Sequence, residues 1–141
     1  MTAPSTYHLF VYGSLRSGFK SPAYEYISRY FILVGPAKVR GKLFDLGEYP
    51  AGVPATGETF VVGELYRVKK EAEFSWAIGQ LDDYEGMNTE AGENALYQRD
   101  IAEVHIEEHQ VPAWVYWYRG DVSQAPLVPS GDILEYLRSK K

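Results

Sequence analysis

Two glycines, Gly41 and Gly63, stand inside segments that otherwise alternate like β-strands: Lys38 to Asp45 and Thr59 to Val68. A glycine in a strand interior gives up packing, and it marks a bulge or a tight bend. Two such positions call for a strongly curved sheet or barrel. The rest of the chain supplies strands and helices to complete one. His8 to Tyr12 is a short strand dense in apolar and aromatic residues. Phe31 to Val34 is extended and ends at the turn signal Gly35-Pro36. Gly47 to Pro54 reads as a Gly/Pro-rich loop. Leu96 to Ile106 and Val111 to Tyr118 pair through the polar link Glu107-Glu108-His109-Gln110.

Ser21-Pro22 has the form of an N-cap and first helical residue, which opens a helix to about Tyr30. Lys69 to Tyr84 is a second helix. It carries Phe74, Ala77, Ile78 and Leu81 on one stripe, and Gly86 follows as its C-terminal cap. A short helix starts at Ser130 or Asp132 and runs through Arg138. This order predicts an α+β fold, a small mixed β-barrel with flanking helices, in a single domain over residues 1–141 with residues 1–6 frayed.

Composition removes several function classes. With no Cys among 141 residues, disulfides, thiolate catalysis and Cys-ligated metal sites are excluded. Three His (His8, His105 and His109) are too few for a multi-His metal site. A net charge of −5 argues against nucleic acid as a partner. No apolar run approaches the length of a membrane span, and the N-terminus lacks the form of a secretory signal. The expectation is a cytoplasmic protein acting on a small molecule, with no membrane or nucleic-acid partner; the sequence leaves its oligomeric state undefined. There is no dinucleotide fingerprint, phosphate loop or Gly-x-Ser-x-Gly elbow.

Three places carry chemistry. Glu85 follows Leu81 by four residues and Ile78 by seven, which puts it at the C-terminal end of the helix's apolar stripe. Burial and the negative helix end both favour the neutral acid there, as do the neighbouring Asp82 and Asp83. A carboxylate tuned upward is a general acid/base; the competing reading is a solvated helix end. An acidic metal patch of Asp82, Asp83 and Glu85 is disfavoured, because consecutive Asp residues on a helix point apart. Tyr12-Gly13-Ser14-Leu15 ends a strand before a helix, so its backbone N–H groups cluster as an anion nest does; an ordinary turn is the alternative. Arg16 is either a second anion contact or a solvated loop residue. In the last strand Trp114, Tyr116 and Tyr118 share one face, with Val115 and Trp117 on the other. Tyr97 and Arg99 share a face of the preceding strand. These rings either pack or line a pocket with their hydroxyls.

Six motifs then occur in one order: Phe10-Val11-Tyr12-Gly13-Ser14-Leu15-Arg16, Gly41-Lys42-Leu43-Phe44-Asp45 with Tyr49-Pro50-Ala51, Gly63-Glu64-Leu65-Tyr66, Leu81-Asp82-Asp83-Tyr84-Glu85-Gly86, Leu96-Tyr97-Gln98-Arg99 and Ala113-Trp114-Val115-Tyr116. This order resembles the gamma-glutamylcyclotransferase-like superfamily, and within it the gamma-glutamylamine cyclotransferase (AIG2-like) branch. The resemblance spans about residues 7–120. It implies a small barrel with a central cavity, Glu85 as the catalytic acid/base, the Tyr12, Gly13, Ser14 and Leu15 backbone as the substrate cradle, and Tyr97 lining the pocket, where Tyr116 is also expected. It implies release of 5-oxoproline from an L-γ-glutamyl amine or amino acid, with no metal or other cofactor. The long polar loop from Met87 to Asn94 departs from the family's pattern and bears on the leaving group. Two other readings fit the same barrel: a non-catalytic module that binds a small metabolite, and removal of a γ-glutamyl group from a biosynthetic intermediate.

Overall fold

The computed structural model describes residues 6–12, 27–46, 50–55, 57–84, 97–120, 122–133 and 135–136, with the side chains of 50 and 82–84 outside that set. Six strands form the sheet: β1 (His8–Val11), β2 (Phe31–Asp45), β3 (Pro50–Pro54), β4 (Phe60–Val68), β5 (Tyr97–Ile106) and β6 (His109–Tyr118). Their order is β3-β2-β4-β1-β6-β5, and a further pairing of β2 with β5 at Lys38↔His105 and Val39↔Val104 joins the ends. Five strands thus close a barrel, with β3 attached to β2. All pairs are antiparallel except β1 with β6. The fold is the α+β small barrel that the sequence predicts.

Alternation along the strands sorts side chains into two cores. Phe10 of β1 and Tyr12 just after it join Val61 and Leu65 of β4 and Val115 and Trp117 of β6 inside the barrel. Leu9 and Val11 join Tyr66, Val68 and Tyr116 on the outer face. That outer face is covered by Ile27, in the helical stretch 27–30, and by α1 (Phe74–Tyr84), which a 3₁₀ turn at Glu71–Glu73 precedes. From α1 come Phe74, Ala77, Ile78 and Leu81, the stripe read from the sequence. Ser21 to Tyr26 lie outside the described residues.

Four local expectations change. Gly35-Pro36 is no turn, because β2 runs through it for 15 residues. Phe31 to Pro36 pairs with β4 alone, and a strand with one neighbour tolerates a prolyl nitrogen. The register shift lies between Leu33 and Gly35 rather than at Gly41 or Gly63. Those two glycines answer instead to crowding: a Cβ on Gly63 would strike the Val11 carbonyl oxygen, and one on Gly41 would stand 2.7 Å from that of Val53. Residues 50–54, read as loop, form β3 against Gly41–Asp45. Finally, Thr6 is anchored rather than frayed. It is 7% exposed, and its hydroxyl donates to Pro112 O at 2.7 Å while its own carbonyl accepts from Trp114 Nε1 at 3.1 Å; residues 1–5 are not described.

The hairpin between β5 and β6 is tighter than the sequence suggests, turning at Glu107 and Glu108 with Glu107 at φ 54°. At the C-terminal end the Asp132 carboxylate accepts from the Glu135 N–H at 3.3 Å, as an N-cap does. Leu134 and residues 137–141, Arg138 included, are outside the description. Among the described residues no helix is long and apolar enough to cross a membrane.

Candidate functional site

Two of the candidate residues, Tyr97 and Tyr116, share a buried cluster with Val11 at the end of β1. Leu9 pairs with Trp114 and Phe10 with Val115 in the parallel β1–β6 ladder. One residue further on, Val11 and Tyr116 therefore stand abreast on the outer face. Arg99 is opposite Tyr116 and Tyr97 is opposite Tyr118 across β5–β6. Val11, Tyr97, Tyr116 and Leu81 belong to one buried cluster. Leu81 sits in the last turn of α1 and is buried in this cluster. Glu85 comes directly after the final helical residue, Tyr84. Glu85 itself, Gly13, Ser14, Leu15 and Arg16 lie outside the described residues, as do the loop 87–94 and the side chains of Asp82 and Asp83.

Tyr12 divides into two parts with different work. Its ring is buried in the barrel interior. Its hydroxyl donates to the Tyr116 carbonyl oxygen and accepts from the Gly52 N–H at 3.2 Å. The side chain thereby ties β3 to β6, with the ring so close to Gly52 that a Cβ there would lie 2.7 Å from Tyr12 Cζ. The backbone of Tyr12 continues β1 toward Gly13. That main chain is the group the anion-nest reading invokes.

Tyr97 and Tyr116 are almost wholly buried on the outer face, not in the barrel lumen. Tyr97 packs edge-on against Tyr118, with 5.5 Å between ring centroids. Arg99 places its guanidinium 4.4 Å above the Trp114 ring, so the shared face of Tyr97 and Arg99 also carries a cation–π contact. Trp114, Tyr116 and Tyr118 lie on one face and Val115 and Trp117 on the other, as alternation predicts. Among the described residues no three His, Asp or Glu side chains gather as a metal site requires.

Sequence reasoning assigned no role to Glu64. This half-buried residue of β4 pairs across the ladder with Val11 and accepts a hydrogen bond from the buried Tyr66 hydroxyl at 3.1 Å. The signal was present in the i, i+2 spacing of Glu64 and Tyr66, which places both on one face.

The family model described as "Gamma-glutamyl cyclotransferase, AIG2-like" matches residues 9–135. The chain belongs to this family. Membership supports a cyclotransferase-type enzyme. Among solved structures, the chain is similar to a mouse AIG2-like protein (25% identity, TM-score 0.65, covering 90% of this chain and 88% of that one). It is also similar to the Escherichia coli protein ytfP (28% identity, TM-score 0.61, covering 92% and 97%). Bacillus subtilis YkqA shares the fold at 21% identity and a TM-score of 0.68; 96% of this chain aligns but spans only 43% of YkqA. No curated protein matches the sequence.

Proposed function

We propose that the protein is a γ-glutamyl cyclotransferase that releases 5-oxoproline from an L-γ-glutamyl amine or amino acid, with Glu85 as general acid/base. What supports the reading is the convergence of the β1 end, the α1 end, Tyr97 and Tyr116 on one cluster, in a chain of this family. Glu85 follows the helix whose last turn carries Leu81, a member of that cluster.

The reaction is intramolecular. The α-nitrogen of the γ-glutamyl group bonds to its own γ-carbonyl carbon, the amide C–N bond breaks, and a five-membered lactam forms. The attacking nitrogen starts as an ammonium, and the leaving nitrogen needs a proton. One carboxylate serves both needs: Glu85 takes a proton from the ammonium and delivers it to the departing nitrogen. It then takes the second proton that the attacking nitrogen loses as the lactam forms and passes it to the freed amine, which leaves as an ammonium. Backbone N–H groups from Tyr12 to Leu15 hold the substrate α-carboxylate or the developing oxyanion. Holding the substrate folded for ring closure contributes up to about 7–11 kcal/mol of the barrier reduction.

The test is incubation with a panel of γ-glutamyl amines and γ-glutamyl amino acids, followed by mass spectrometry. The expected result is 5-oxoproline together with one preferred class of free amine. Tight binding of panel members with no 5-oxoproline would establish the binding-module alternative instead.

A further inference from the structure

One side of β2 stays open at its N-terminal end. Among the described residues, Phe31 to Pro36 pairs with β4 and with no second strand. Ile32, Leu33 and Val34 are 56%, 46% and 49% exposed. Consecutive strand residues point to alternate faces, so neither face is covered at these three positions. Trp76, also exposed, packs edge-on against Tyr30 with ring centroids 5.2 Å apart and widens the apolar patch.

The ladder with β4 shows which backbone groups face the open side. The Lys69 N–H donates to Tyr30 O at 2.9 Å and the Val68 N–H to Tyr7 O at 3.1 Å, so Lys69 bonds toward β2 and Val68 away from it. Alternation then turns Arg67 toward Ile32 and Tyr66 away. Leu33, opposite Tyr66, therefore directs its N–H and C=O to the open side. Beyond the register shift, Gly35 is opposite Leu65 and Pro36 opposite Glu64. The next position facing the open side is thus Pro36, which has no N–H to leave unpaired.

We infer that this edge is the contact surface for a second copy of the chain, the two β2 strands pairing antiparallel about a two-fold axis at Leu33. Such a pair is self-complementary: each Leu33 N–H meets the other Leu33 C=O, and each Ile32 stands opposite Val34. Charge agrees with that direction. Carried on from Lys38↔His105, the exposed Glu107-Glu108 turn comes level with Pro36. In the paired copies Tyr30 of one comes level with Pro36 of the other, so the exposed Arg29 of each is brought to the acidic turn of its partner. Pro36 and the register shift confine the pairing to a short stretch, which closes a dimer and offers no open-ended stacking.

The experiment is sedimentation velocity over about 1 μM to 1 mM, the range in which a small interface populates both states. Wild type should show a monomer–dimer equilibrium. Val34→Glu sets a carboxylate against Ile32, and Ile32→Lys sets an ammonium against Val34. Each alone should weaken association about tenfold or more. An equimolar mixture of the two variants should associate more tightly than either, because Lys and Glu then stand opposite each other. Both positions are exposed in the single chain, so melting temperatures at low concentration should stay near wild type. The chain has no Cys, so Leu33→Cys carries the only thiol. Residues in a hydrogen-bonded antiparallel pair have Cα atoms about 5.5 Å apart, within disulfide reach. Leu33→Cys should therefore oxidise to a covalent dimer much faster than Leu127→Cys, at a position of similar exposure outside this edge. Wild type that stays monomeric to the top of the range would overturn the proposal. So would a dimer indifferent to both charged variants, a mixture no tighter than either, or equal cross-linking at positions 33 and 127.

Discussion

Tyr12 shows how a motif residue serves the scaffold through its side chain and leaves its main chain for chemistry. Tyr12→Phe removes a hydroxyl that bonds to the backbones of Tyr116 and Gly52. Loss of two buried hydrogen bonds destabilises by about 1–3 kcal/mol. Denaturant unfolding should show that loss, and an unchanged midpoint would mean that water takes over both bonds. His8 provides a second residue-level test. Its pKa lies below 6.5, first through burial and then through the nearby Arg67 charge. The unfolded chain therefore binds more protons than the folded one just below pH 6.5. The stabilisation is present above that value and is lost as pH falls through the depressed one. Thermal unfolding of wild type should thus drop more steeply than that of His8→Gln on acidification below 6.5; parallel profiles would remove His8 from the account. Neither role was legible in the sequence, because each depends on partners at least 40 positions away in the chain, on other strands.

At the scale of elements, α1 is the part that the sequence describes best and the site depends on most. Its stripe is local, repeating every three or four residues, so the buried face can be read without knowing the partner. β3 and the course of β2 were not legible for the opposite reason. Pro36, Pro50, Gly52 and Pro54 all lower local strand preference, and only pairing with a distant neighbour keeps these residues extended. Pro36 and a register shift on the one-neighbour stretch of β2 also blunt that edge, although Ile32, Leu33 and Val34 are exposed there. The dependence of the site on α1 can be measured. Leu81→Ala should lower stability by about 2–5 kcal/mol and also reduce turnover, since Leu81 is buried in the last turn before Glu85. Phe74→Leu, at the other end of the same stripe, should lower stability with a much smaller effect on turnover. Equal turnover losses at matched stability would show that the helix end has no special part in the site.

Over the whole molecule, closure of the barrel brings together segments that are far apart in the chain. The parallel β1–β6 pair sets Val11 beside Tyr116, and α1 then closes over the same face. The described parts of the motifs spread from Phe10 to Tyr116 fall on the strands of this sheet and on α1. Gly41 and Gly63 sit where Val53 and Val11 leave no room for a Cβ, and the assignment of the chemistry to Glu85 rests on the family resemblance, because its spacing alone also fits a solvated helix end. The most direct measurement is 5-oxoproline release by wild type and by Glu85→Gln, alongside their melting temperatures. The account predicts that the variant melts with wild type and loses about 10²–10⁴ in rate, the contribution of one general acid/base. A variant that melts normally and still releases 5-oxoproline at close to the wild-type rate would contradict it.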